Sequence, residues 1–117
     1  MLRHELKRFW TRVVWAWQGW LACWHEEKSL RQWTVVHLIS CALAIVLDID
    51  PSERALIFAL GFLVLAAELM NTAIERAVDR ISSDVHPLAK QAKDMASAAV
   101  ALSAIAGGIA WVIILIG

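Results

Sequence analysis

Three apolar blocks dominate the chain, and folding them together in water would leave a large apolar surface uncovered. The first follows Leu30, the second begins after Pro51, and the third runs uncharged from Met95 to Gly117. A hydrocarbon core of roughly 30 Å needs about 20 helical residues, so blocks of this kind predict membrane-spanning helices. With 117 residues, 60% hydrophobic and 19% charged, there is material for one domain at most, and it is a membrane domain.

The middle block ends abnormally. Ala55 to Ala67 is 13 residues without a charge, and then Glu68, Asn71, Glu75, Arg76 and Asp79 follow, with Thr72 among them. At about 100° per residue, the spacing places Glu68, Asn71, Glu75 and Asp79 on one face of a single helix. One reading ends the helix near Glu68 and leaves the acids in water. Against it, 13 apolar residues are too few to span, so the helix must use residues on both sides of Glu68. Glu68 and Asn71 are then expected within the membrane or at its inner edge, where carboxylates are costly and mark function.

Residues 1–25 predict an amphipathic helix lying on the membrane surface. Leu2, Leu6, Phe9, Trp10, Val13, Val14 and Trp17 recur at helical spacing, while Arg3, His4, Glu5, Lys7, Arg8 and Arg12 form the wet side. Trp10, Trp15, Trp17, Trp20 and Trp24 favour the headgroup layer. Gly19 is a candidate hinge or point of close approach. A polar break at His25 to Lys28 follows, with Ser29 as a candidate helix cap. The first span is expected over 30–48, the second over 51–81 with a cytoplasmic extension, and the third over 87–117. Asp50 and Pro51 open the second span as cap and first helical residue, and Pro87 opens the third after a break at residues 82–87. Small residues from Ala96 to Gly108 suit the third span to close packing.

Charge sets the expected topology. Basic residues precede the first span and lie between the second and third, whereas Arg54 alone marks the acidic loop between the first and second. The positive-inside rule puts the N-terminus in the cytoplasm and the C-terminus in the periplasm. No cleavable signal pattern is visible, and a formal net charge of zero gives no argument for nucleic acid as partner. Cys23 and Cys41 read as single buried thiols, and His37 as a hydrogen-bonded residue facing the bundle.

Glu27, Glu68, Asn71, Glu75, Asp79, Lys93 and Asp94 would then share the cytoplasmic rim. Carboxylates and an amide are hard oxygen ligands suited to magnesium, and a lysine neutralises phosphate oxygens. No glycine-rich phosphate loop is present in the sequence, so nucleotide binding is not readable from pattern alone. Three spans leave no room for a water-filled pathway in one subunit, so an oligomer is expected to build any shared cavity.

These residues carry a resemblance. The run from Glu68 through Asn71, Glu75 and Asp79 to Arg80 is similar to the motif of the prokaryotic diacylglycerol kinase family. Ala92 to Val100 resembles its second motif, and Trp24 to Glu27 with Leu30-Arg31-Gln32 resembles the lead into its first span. The resemblance implies an all-α inner-membrane enzyme, a homotrimer with active sites shared between subunits, moving the γ-phosphoryl group of MgATP to the hydroxyl of diacylglycerol. It implies Glu68 as general base, Glu27 and Glu75 as ligands of Mg2+, and Asn71, Asp79, Lys93 and Asp94 as residues ordering the catalytic and nucleotide site. Two departures stand out: Trp33 occupies a position where the enterobacterial type carries an acid, and Arg12 to Trp17 matches loosely. A related branch phosphorylates undecaprenol, and Leu30-Arg31-Gln32 looks more like the diacylglycerol branch. A nonenzymatic oligomeric channel or assembly protein is the competing class, since it too explains acids within a membrane.

Overall fold

The computed structural model describes residues 1–81 and 85–117; Ser82, Ser83 and Asp84, part of the expected break before the last span, lie outside the described residues. Four helices follow in order: α1 (Leu2–Glu26), α2 (Lys28–Val46), α3 (Pro51–Ile81) and α4 (Pro87–Ile116). Helices α2, α3 and α4 are each long and apolar enough to cross a membrane. The protein is therefore an all-α, multi-pass membrane protein with an additional N-terminal helix.

The junctions follow from local chemistry. Glu27 is the single extended residue between α1 and α2, with φ −116° and ψ 109°. Its backbone N–H donates to the Cys23 carbonyl at 2.8 Å, closing α1. Ser29 therefore lies inside α2 and not at its cap, a correction whose reason is tertiary: its hydroxyl is used elsewhere. Arg31 turns back to donate to the Trp24 carbonyl, satisfying an acceptor left free in the last turn of α1. At the start of α3, Asp50 accepts the Arg54 N–H through its backbone carbonyl at 3.0 Å, and its own N–H donates to the Glu53 carboxylate at 2.9 Å. The Glu53 carboxylate supplies one half of a capping box, and Pro51 sits in the first turn where no donor is needed. For α4 the cap is His86, whose Nδ1 accepts from the Leu88 N–H at 3.1 Å ahead of the first turn opened by Pro87.

Helix α3 is the spine, packed against α4 and α2, while α1 touches α2 and α3 only toward its C-terminal end. Residues 1–19 are exposed throughout. The extents of 49 × 47 × 24 Å fit a three-helix slab with α1 projecting to one side. Gly19 sits in unbroken helix with no group within 4 Å of where a Cβ would lie, so neither a hinge nor a close approach is built there.

Two apolar clusters hold the slab. Cys23, Leu30 and Leu65 form one, flanked by Trp20, Trp24, Trp33 and Leu69, and join α1, α2 and α3. Ala44, Ile57 and Ala110 form the other, flanked by Phe58, Leu60 and Trp111. Between them the His37 ring lies directly over Gly61, where any Cβ would collide with it, and meets Phe62 edge-on at 4.8 Å. Here a glycine is required by close approach. Of the small residues of α4, Ala96 and Ala110 are buried, whereas Gly107 and Gly108 face open space.

Candidate active site

Helix α3 passes without a break through Glu68 and on to Ile81, which removes the reading in which it ends at the acid. At about 1.5 Å per residue, Glu68 lies roughly 26 Å along α3 from Pro51, comparable with the roughly 30 Å of a hydrocarbon core. It is only 4% exposed within the single chain. Ser29 in the first turn of α2 donates its hydroxyl to Glu68 Oε1 at 2.7 Å. A buried carboxylate with a single side-chain donor keeps lone pairs available for another proton or donor.

One turn further on, Thr72 is 3% exposed and its hydroxyl oxygen accepts from the Cys23 thiol at 3.6 Å. That contact draws the end of α1 against the polar face of α3. Asn71 donates through Nδ2 to Glu75 Oε1 at 3.3 Å, while its Oδ1 is buried with no partner among the described residues. An orphaned buried acceptor costs free energy unless a donor is supplied from outside the chain. At the same level Arg76 reaches Glu26 at 2.9 Å and Glu27 at 3.8 Å. This guanidinium spans the junction of α1 and α2 and holds Glu27 beside α3.

The remaining residues sit toward the end of α3 and the start of α4. Lys93 Nζ lies 2.5 Å from Asp79 Oδ1, and Lys90 Nζ lies 2.6 Å from Asp94 Oδ2. A cavity of about 230 Å³ opens there, lined by Val78, Asp79, Val85, His86, Ala89, Lys90 and Lys93. The sequence-predicted residues thus occur as linked pairs, four of them along α3, Glu68 with Ser29, Asn71 with Glu75, Glu27 with Arg76 and Asp79 with Lys93, and a fifth within α4, Asp94 with Lys90. Among the described residues, no group of three or more His, Cys, Asp or Glu side chains converges as a metal cage. Trp33, at the position of the resemblance's missing acid, packs against the Cys23, Leu30 and Leu65 cluster and makes an apolar contact where a polar one was expected.

Arg76 was legible on the polar stretch of α3 without its partners Glu26 and Glu27, whereas Ser29 and Cys23 were missed as members of this region. Of these two, only Ser29 had a visible signal, a hydroxyl at a helix start, and that signal pointed to capping.

Similarity to known proteins identifies the family. Residues 14–115 match the family described as prokaryotic diacylglycerol kinase. The chain is 42% identical to a diacylglycerol kinase of Pseudomonas aeruginosa, over 96% of this chain and 91% of that protein. It is 40% identical to a diacylglycerol kinase of Escherichia coli K12, over 90% and 89% of the two chains. To an undecaprenol kinase of Bacillus subtilis it is 37% identical, over 88% and 84%. A match across nearly the whole chain, with a buried carboxylate at the membrane-length mark of the central helix, establishes that the chain belongs to the prokaryotic diacylglycerol kinase family, and so to a family of kinases.

Proposed function

We propose that the protein transfers the γ-phosphoryl group of ATP to the hydroxyl of diacylglycerol, forming phosphatidic acid at the cytoplasmic face of the inner membrane. The observation that carries this reading is the Glu68 carboxylate, buried, held by one hydroxyl, and set at the membrane-buried end of a polar helix face. The diacylglycerol kinases among its relatives supply the substrate class.

A lipid alcohol reaches the enzyme from the bilayer with its hydroxyl at the interface, so its base must lie at that depth. Glu68 accepts the hydroxyl proton, and the alcohol oxygen bonds to the γ-phosphorus. The bond from that phosphorus to the β–γ bridging oxygen breaks, and ADP departs with the electron pair. Ammonium groups of Lys93 and Lys90 face the cavity beside Asp79 and Asp94 and complement the charge of the triphosphate. Asn71 offers its orphaned Oδ1 to a donor of the bound substrates and, through Nδ2, turns Glu75.

The donor set fits magnesium. Glu27 and Glu75 are carboxylates, hard oxygen donors, and Mg2+ characteristically takes one or two of these and completes its shell with water and substrate phosphates. When bound, the ion neutralises phosphate charge and favours the leaving ADP. Arg76 and Asn71 hold the two glutamates beside the same turns of α3.

We also assign a homotrimer in which neighbouring subunits complete each site. In one chain the functional pairs are spread along α3 and the start of α4 with wide exposed surfaces, including the open Gly107 and Gly108 stretch of α4, and a second subunit is what would close them. The exposed tryptophans and cations of α1 suit a helix lying on the cytoplasmic leaflet, with the C-terminus periplasmic.

Transfer of labelled γ-phosphate in mixed micelles tests the reading, with diacylglycerol and undecaprenol offered in parallel. Preferential labelling of diacylglycerol is expected. Preferential labelling of undecaprenol would place the protein with its Bacillus subtilis relative, and labelling of neither by a folded oligomer would favour a channel or assembly protein.

A further inference from the structure

Among the described residues Glu68 has one hydrogen-bond donor, and it comes from a residue 39 positions away on another helix. Ser29 stands in the first turn of α2, soon after the extended Glu27 that joins α1 to α2. Its side chain does not cap that helix, although a serine at a helix start ordinarily does. Its hydroxyl is spent instead on the Glu68 carboxylate at 2.7 Å, the distance of a strong O–H···O⁻ bond. We propose that Ser29 is the positioning residue of the catalytic base, and the assignment rests on the kinase reading above.

Geometry carries the assignment. Glu68 is 4% exposed, so water does not orient it, and a glutamate side chain has three rotatable bonds along which a carboxylate can turn. A bond from Ser29 to Oε1 fixes the plane of the carboxylate and leaves Oε2 free to meet the substrate hydroxyl. Because the anchor is on α2 and the base on α3, the contact also ties base orientation to the seating of α2. Proton acceptance needs heavy atoms within roughly 3 Å, so a carboxylate free to turn spends less time in reach. Ser29 touches no reacting atom in this scheme; it acts through Glu68.

A matched pair of substitutions isolates the hydroxyl. Ser29→Thr keeps it, and Ser29→Val has nearly the shape of threonine without it. In the labelled-phosphate assay with diacylglycerol, Ser29→Thr is expected to stay within about threefold of the parent in kcat, and Ser29→Val to fall by about 10- to 100-fold, the range for one hydrogen bond to a charged group. KM for MgATP and the oligomer elution profile should match between the two. In a Glu68→Gln background, Ser29→Thr and Ser29→Val should differ in kcat by less than about twofold, because a unit already broken gives non-additive effects. Equal kcat for the two variants, or equal losses in both backgrounds, overturns the positioning role while leaving the kinase reading intact. Loss of oligomer in Ser29→Val alone would make Ser29 a structural contact and also overturn it. A parent chain that phosphorylates neither alcohol removes the kinase reading, and the role of Ser29 with it.

Discussion

Arg54 and Glu68 are both charged groups set into the bundle, near opposite ends of the apolar part of α3, and the chain treats them in opposite ways. Arg54 Nε donates to the Ala44 carbonyl at 2.7 Å, and its Nη2 reaches the Leu47 and Ile49 carbonyls at 3.4 Å each. Those acceptors are main-chain oxygens at the end of α2 and in the loop after it, where carbonyls lack intrahelical donors and the helix dipole is negative. Three hydrogen bonds from the guanidinium hold the loop. Among the described residues Glu68, by contrast, receives a single side-chain hydroxyl, and next to it Asn71 keeps a buried acceptor with no partner. A charge saturated by backbone is part of the scaffold. One that keeps unfilled lone pairs is poised for something absent from the chain itself.

On that contrast, the two ends of α3 respond differently to substitution. The largest expected effect on stability is at the scaffold end. Arg54→Ala should cost about 3 kcal/mol, because hydrogen bonds from one charged group to several carbonyls are lost together. A lowered thermal midpoint in micelles, with kcat per folded oligomer unchanged, is the expected pattern, and a reduced kcat at full stability would break the comparison. Glu75→Gln probes the other end and should leave the midpoint nearly unmoved. It should raise the magnesium needed for half-maximal rate by at least about tenfold, equivalent to about 1.4 kcal/mol, in a metal titration. The smallest effect belongs to Trp111→Phe, which removes the 2.8 Å bond from the indole N–H to the Ser40 hydroxyl. A loss near about 1 kcal/mol in stability and none in kcat is expected, since such bonds between membrane helices are worth little more than that.

How far the sequence could reach is clear from these residues. Three spanning helices were legible because apolar length is a local property, and the helix starts at Asp50-Pro51 and Pro87 are local as well. The polar face of Glu68, Asn71, Glu75 and Asp79 was legible from helical period, since it needs only that α3 be continuous. The partners were not. Which hydroxyl meets Glu68 depends on how α2 is rotated against α3, and nothing in Ser29 or its neighbours encodes that rotation. Lys93 meeting Asp79 likewise depends on the register of α4 against α3, whereas Lys90 and Asp94, four residues apart on α4, pair by helical period alone. Arg76 was visible as a charge on the same helix, but its choice of Glu26 and Glu27 required the bend at Glu27.

The central claim is that Glu68 is a base and not merely a polar contact in the bundle. Its most direct test is Glu68→Gln, which preserves size and the ability to accept from Ser29 but cannot take a proton. Turnover with diacylglycerol should fall by about 1,000-fold or more, in the range expected for removing a general base, while MgATP binding stays within about threefold and the oligomer is intact. Turnover near the parent value, or a loss explained by failed MgATP binding alone, would contradict the assignment.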